Sequence, residues 1–378
     1  IGGGWSGPSG WGLFGRLVTG GEQREGGAGG DNPNLHVDLS ICDGPAYRGP
    51  WLKLKPEFIP IMSDCEGPLT NRRREAYAMT RIGVDFGGTK IEVAALDAHG
   101  GFAARLRAPN PGSYEAALRT VRELITTAES EVGERGTVGV GAPGSISPRT
   151  GLVRNANSVW LNGRPFREDL EAALDRPVRL ANDADCLAVS EAADGAAAGA
   201  KTAFAVILGT GCGGGVTIDG RVLHGANGIA GEWGHTPLPW PTAAEIPGPV
   251  CWCGRRGCLE TWLCGPALQR DHRQVAGEDL TPAQIAAEAE LGDARAAATL
   301  DRYIGRLARG LALVCDLLDP DVIVFGGGLS NLDPLYGRLP AQIAPHVFAD
   351  HWEAALRPAR WGDSSGVRGA ARLWDPPP

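Results

Sequence analysis

Methionine is almost missing from this chain: among 378 residues only Met62 and Met79 occur, and the first residue is Ile1. Long apolar runs are missing too, and none approaches the ~20 residues that a membrane-spanning helix requires. The opening stretch, IGGGWSGPSGWGLFG, has no charged segment ahead of an apolar core, so it does not read as a secretory signal. There is no basic stripe, and the net charge is -8. Nucleic acid and acidic membrane surfaces are therefore poor partners. Residues 1–78 lack any sustained period of 2.0 or 3.6 and show no pair of amphipathic helices, which argues against a helix-turn-helix.

What is present is enough apolar material, 43% of the residues, to build two domains with cores of their own. Composition divides the chain near Met79. Before it the sequence is punctuated by glycine and proline (GGGWSGPSG, GGAGG, DGPAYRGP), with one short charge run, NRRRE, that reads as a solvated tail. Residues 1–78 are expected to be upstream translated sequence or a disordered extension. Nine cysteines could signal disulfides. Three of them sit together, which points instead to a metal site in a reducing, cytoplasmic setting.

From Met79 onward the pattern is α/β. Residues 81–86 and 91–96 alternate as a hairpin around GGTK. YEAALRTVRELITTAESEV has helical spacing, with Leu118, Val121, Leu124 and Ile125 on one face. TVGVGAPG is a strand entering a Gly/Pro loop, and VRLANDADCLAVSEAADGAAAGA is a strand, an Asn-Asp tip and an Ala-rich helix. FAVILGTGCGGGVTIDG repeats the opening theme of strand, glycine turn and strand; a long helix, YIGRLARGLALVCDLLDP, leads to the strand DVIVFGGGLS. A twice-used strand–turn–strand unit suggests internal duplication, with two similar lobes around a cleft.

Asp85-Phe86-Gly87-Gly88-Thr89-Lys90 fits neither GxxxxGK(S/T) nor GxGxxG. Its physics is related: glycines let backbone N–H groups approach phosphate oxygens, Thr89 offers a hydroxyl and Lys90 a charge. Asp85 would repel bare phosphate, and makes sense with Mg²⁺ and its waters between them. A second glycine turn holds Gly209, Thr210 and Gly211, and a third cluster is Gly326-Gly327-Gly328. An isolated glycine pair is most often an ordinary hairpin turn. Three glycine tips on apolar strands point to nucleotide contacts from opposed lobes.

In order, DFGGTK, NDAD, LGTGCGGG, GEWGH, CWCGRRGCLE and IVFGGGLS resemble a ROK-family sugar kinase, a likeness spanning about residues 79–376. Longer runs (GSISPRTG, NANSVWLNG, GEWGHTPLPW, GDSSGVRGAA) most resemble the bacterial fructokinases, or mannokinases, of that family. The resemblance implies a two-lobed actin/hexokinase-like (ribonuclease H-like) fold with an interlobe cleft. The first lobe would span 79–199 and regain a terminal helix at about 365–376; the second would span 200–364. It implies ATP and Mg²⁺, a hexose partner with fructose favoured, and a homodimer. Glucokinase, mannokinase and N-acetylhexosamine kinase activities are the alternatives within the family, and a sugar-sensing repressor is the alternative outside catalysis.

Residue by residue, the resemblance makes Asp183 the general base on the acceptor hydroxyl, although Asn-Asp at a strand-to-helix junction is equally the signature of a helix cap. Asp185 reads as a first-turn helix acid. Asn182, Glu232, His235, Asn157, Glu260 and Ser145 are the sugar-contact candidates, since planar amide and carboxylate groups can fix several hydroxyls at once. Cys251, Cys253 and Cys258 with His235 make a Cys₃His set, a structural zinc composition. His235 is placed to serve zinc with one ring nitrogen and the sugar with the other.

Overall fold

A computed structural model describes residues 80–375; the expectation for residues 1–78 lies outside the described residues. The chain opens with β1 (Arg81–Phe86), β2 (Lys90–Leu96) and β3 (Phe102–Pro109), an antiparallel meander. Helix α1 (Tyr114–Val132) follows, then β4 (Thr137–Ala142), which returns parallel to β1. A short hairpin, β5 (Ser145–Ile146) and β6 (Val153–Arg154), leads to α2 (Phe166–Leu174), β7 (Val178–Asn182) and α3 (Asp183–Asp194). The sheet order is β3-β2-β1-β4-β7.

The second lobe repeats this plan. β8 (Thr202–Leu208), β9 (Cys212–Ile218) and β10 (Arg221–Val222) form another antiparallel meander. After a long loop come α4 (Glu260–Leu263), α5 (Gly265–Ala276), α6 (Pro282–Glu290) and α7 (Ala294–Leu318). β11 (Val322–Gly326), α8 (Pro334–Ile343), β12 (Ala355–Pro358) and α9 (Ser365–Ala371) complete the chain. The order β10-β9-β8-β11-β12 matches the first sheet position for position, with β11 parallel to both β8 and β12. The internal duplication expected from two strand–turn–strand units is thus a duplication of whole sheets.

Local chemistry explains the main helices. α1 buries Tyr114, Ala117, Val121, Ile125 and Ala128, a stripe at helical spacing, and ends where Gly133 turns left-handed at φ 84. Leu118 and Leu124, expected on the same face, flank it half-covered, while the small Ala117 and Ala128 are fully buried. α7 starts on the Asp293 carboxylate, which accepts the Arg295 and Ala296 amides at 3.0 and 2.8 Å. It buries Tyr303, Ile304, Leu307 and Leu311 in the second-lobe core. Among the described residues no helix is long and apolar enough to cross a membrane.

α9 returns to the first lobe and lies on β1, β4 and α3. The approach is so close that a Cβ at Gly139 would stand 1.9 Å from the Ala370 carbonyl oxygen. Glycine is required there by contact, not by conformation. α3 in turn touches β8 and β9 of the second sheet, so the helix that begins at Asp183 stands between the lobes.

Candidate active site

The first glycine turn joins β1 to β2 and is held from below by a residue the motif does not contain. Asn110, just past β3, donates its Nδ2 to the Gly87 carbonyl at 2.7 Å and its backbone N–H to Thr89 O at 2.9 Å. Gly88 and Thr89 are left exposed. Lys90 sits 3.8 Å from Glu92, a fully buried carboxylate that also accepts Arg105 Nε and Arg107 Nε, each at 2.6 Å. Asp85, next to last in β1, lies across from Glu92. Burial, then the nearby Asp183 and Glu92 carboxylates, push its pKa up to about 6 against the pull of Lys90 and Arg107. A divalent cation would relieve that repulsion, which is how a site of this kind accommodates phosphates beside an acid.

In the second lobe the equivalent turn, Gly209-Thr210-Gly211, joins β8 to β9 and leaves Thr210 exposed. It is closed by Gly209 N–H donating to Gly211 O at 3.0 Å and anchored by Gly265 N–H on Gly209 O at 2.7 Å. The third glycine cluster divides: Gly326 is the last residue of β11, buried against Leu187, whereas Gly327 and Gly328 are exposed beyond the strand. Gly326 thus sits where it packs β11 against α3, and the next two residues are the ones open to a ligand.

Asp183 is the first residue of α3, and Asn182 is its cap: the Asn182 Oδ1 accepts Asp185 N–H at 2.5 Å. The cap and the candidate base are therefore neighbouring residues with separate tasks. Capping uses the Asn182 oxygen and leaves its amide N–H donors available. Asp183 Oδ1 accepts its neighbour Ala184 N–H at 2.9 Å, and the residue as a whole keeps accessible surface. The protein around it removes much of its hydration and raises its pKa, opposed by the Ala184 amide and assisted by Asp185. Asp185 is buried, with Oδ2 3.4 Å from His224 Nδ1 and Oδ1 without a partner.

Beside Asn182 a cavity of about 200 Å³ opens between the lobes, with Ser145, Asn182 and Asp185 from one side and His224, Gly228 and Ala230 from the other. Ser145 Oγ accepts Arg154 Nε at 3.2 Å, and Arg154 also reaches across to the Asn227 carbonyl at 2.5 Å. Asn157 is exposed on a loop that Asn162 closes, donating to Ala156 O and accepting Ala156 N–H, both at 2.9 Å. Asn110, Asn162 and Arg154 were not singled out from sequence. The Asn110-Pro111 and Asn162-Gly163 dipeptides are the turn signals that mark two of them.

Glu232 and His235 come from a single 3-10 turn (Trp233–His235) and its preceding residue. Burial raises the Glu232 carboxyl, His235 opposes this, and Asp183, Asp185 and Glu260 add to it, so these acids converge on one region. Glu260, at the start of α4, is held by the Cys212 backbone N–H at 3.2 Å and the Trp252 indole N–H at 2.5 Å.

Ligand atoms of His235, Cys251, Cys253 and Cys258 all lie within 4.8 Å of one another. His235 Nδ1 is 3.6 Å from Cys251 Sγ, and Cys253 Sγ is 3.7 Å from Cys258 Sγ. A tetrahedral zinc ion with bonds of about 2.3 Å to sulfur and about 2.0 Å to nitrogen has edges of about 3.8 and 3.5 Å. The donor set therefore fits such an ion in both spacing and type. All seven described cysteines are free thiols.

Residues 81–376 match the ROK family. The N-acetyl-D-glucosamine kinase of Photobacterium profundum is 40% identical over 296 residues, covering 77% of this chain and 98% of that protein. The enzyme of the same name from Pasteurella multocida is 38% identical over 301 residues, covering 78% and 99%. Among solved structures, a ROK hexokinase from Thermus thermophilus aligns with TM-score 0.69 at 34% identity, over 78% of this chain and 97% of that one. A ROK family glucokinase from Streptomyces griseus, solved with glucose and AMPPNP, aligns with TM-score 0.66 at 27% identity, over 78% and 98%. The two-lobed actin/hexokinase-like architecture expected from the motif order is the one found. With a family match running from β1 to the end of the described fold, and relatives this similar over nearly their whole length, the chain belongs to the ROK family.

Proposed function

We propose that the chain is an ATP-dependent hexose kinase. The observation that carries this reading is the placing of Asp183, an accessible residue whose desolvated carboxyl has a raised pKa, at the start of α3, on the helix that stands between two lobes with equivalent glycine turns. In the reaction the sugar hydroxyl oxygen bonds to the γ-phosphorus of ATP, the bond to the β-phosphate oxygen breaks, and the hydroxyl proton passes to Asp183. ADP leaves. Gly87–Thr89 and Thr210–Gly211 offer backbone N–H groups and hydroxyls to the phosphates. Gly327 and Gly328 lie open on the second lobe for the nucleoside end. Asp85 and Lys90 flank the place where a bound Mg²⁺ would neutralise phosphate charge. Asn182, Glu232, Glu260 and Asn157 supply planar groups for the remaining hydroxyls, with Ser145 at the cavity wall. Zinc on Cys251, Cys253, Cys258 and His235 would fix the loop that carries this sugar shell, without entering the chemistry.

The sugar we favour is D-fructose, phosphorylated on its 6-hydroxyl. Support comes from the runs GSISPRTG, NANSVWLNG, GEWGHTPLPW and GDSSGVRGAA and their resemblance to fructokinases. A second reading, N-acetyl-D-glucosamine, is supported by the relatives of that activity at 38–40% identity. A coupled assay of ADP release against fructose, mannose, glucose and N-acetyl-D-glucosamine separates them. The fructose reading expects the highest kcat/KM with fructose; a higher value with the acetylated sugar would reverse the preference, and no release with any hexose would remove the kinase assignment.

A further inference from the structure

Trp252 lies between two of the metal-site cysteines and has no part in the chemistry set out above. It is 58% exposed, yet fastened at two points. Its ring meets His235 edge-on, with centroids 4.8 Å apart and planes at 85°. Its indole N–H donates to Glu260 Oε1 at 2.5 Å. The other oxygen, Glu260 Oε2, accepts the backbone N–H of Cys212 at 3.2 Å. One carboxylate thus bridges the cysteine knuckle and the residue that follows the Gly209–Gly211 turn. The bridge fits because Gly211 has no side chain: a Cβ there would stand 2.9 Å from Oε2.

We propose that Trp252 is a positioning residue for sugar binding, acting through Glu260. This inference rests on the kinase reading and on Glu260 as a sugar contact. A carboxylate has about four acceptor sites. Trp252 and Cys212 occupy one on each oxygen, which fixes the plane of the group and leaves the others aimed in set directions for hydroxyl hydrogens. Released from Trp252, the Glu260 side chain regains rotamer freedom, and binding sugar must then restrict it. Because Cys251 and Cys253 flank Trp252, an ion held by those thiols would also set the direction of the indole.

Trp252→Phe tests the idea, since it keeps a ring beside His235 and deletes only the N–H donor. Loss of a hydrogen bond to a charged group is expected to raise KM for the sugar about tenfold. kcat and KM for ATP are expected to change by less than about twofold, the pattern of lost ground-state binding. Zinc content, measured with a chelating dye on the unfolded protein, is expected to stay equal to wild type. In a Glu260→Ala background the same change is expected to have no further effect on sugar KM, because its route of action is gone. An unchanged sugar KM, an equal rise in both KM values, loss of zinc in step with the rise, or full additivity with Glu260→Ala would each overturn the proposal. Failure of the wild-type chain to release ADP with any hexose would instead defeat the kinase reading beneath it.

Discussion

Glu245 fastens the long loop between His235 and Cys251 to helix α7, and its removal has a calculable cost. The residue is 8% exposed. Its oxygens accept Arg306 Nε at 2.8 Å, Arg309 Nη2 at 2.8 and 3.0 Å, Arg309 Nη1 at 3.0 Å and the Thr242 N–H at 2.9 Å. Burial by itself raises this carboxyl, but Arg309 and Arg306 outweigh it and hold the pKa at about 2 instead of 4.5. A carboxyl pKa held at about 2 instead of 4.5, at ~1.36 kcal/mol per tenfold change in proton affinity, corresponds to about 3 kcal/mol. Breaking a buried pair by removing one charge costs about 3–5 kcal/mol in general, so the two routes agree. Because the folded pKa lies below the unfolded one, the stabilisation is complete above about pH 4.5 and is lost as pH falls toward 2. Glu245→Gln is therefore expected to lower Tm at pH 7 by about 5–10 °C. The gap from wild type should narrow between pH 4.5 and the onset of acid unfolding. Scanning calorimetry at pH 7, 5 and 3.5 measures both effects. A Tm within about 1 °C of wild type at pH 7, or a gap that widens on acidification, would refute the reasoning.

Asp183→Asn is expected to bind sugar with near-normal affinity, by calorimetry, while kcat falls about 10²- to 10⁴-fold, the usual worth of a general base; near-normal turnover would remove Asp183 from that role. The wild-type carboxyl is raised, so its ionised form opposes folding and stability drops as pH climbs from the ordinary carboxylate pKa through the raised one. The Asn variant should accordingly melt slightly higher than wild type at pH 7, and the acid limb of kcat/KM for sugar should lie above the ordinary carboxylate range. Chelation is expected to weaken sugar binding more than nucleotide binding, because His235 and the Trp252–Glu260 contact belong to the knuckle whereas the Gly87–Thr89 turn is held by Asn110. Equal weakening of both ligands in metal-free folded protein would contradict that division.

The fold was legible where local patterns carry the information. Alternation at Ile82, Val84 and Phe86 and the same theme at Phe204, Val206 and Leu208 mark the central strand of each sheet, and both runs are buried in the structure. β3 escaped notice because it lies on a sheet edge: its exposed Phe102, Ala103 and Arg105 blur the apolar period. The short β10 and β12 give too few residues for any period to show. Gly139 looks like any strand glycine in sequence, and only the docking of α9 more than two hundred residues later explains it.

The site divides in the same way. Residues proposed to meet a ligand through their own backbone turn, such as Gly88, Thr89 and Thr210, are readable because the turn is local. Residues that aim another residue are not. Asn110 supports the Gly87 carbonyl across 23 positions, and Glu260 reaches the Cys212 amide across 48. Neither spacing belongs to a helix or strand period, so the sequence marks Asn110 only as a turn residue and Glu260 only through the family likeness, and neither contact can be read from it. The knuckle lies between these extremes. Cys251, Cys253 and Cys258 are close in sequence, but His235 joins them across a loop that Glu245 pins to α7. The Cys₃His cluster, the ion pair on Arg306 and Arg309, and the direction of Trp252 are then parts of one loop conformation. For that reason a charge change at Glu245, well outside the sugar shell, is expected to be felt at Glu260.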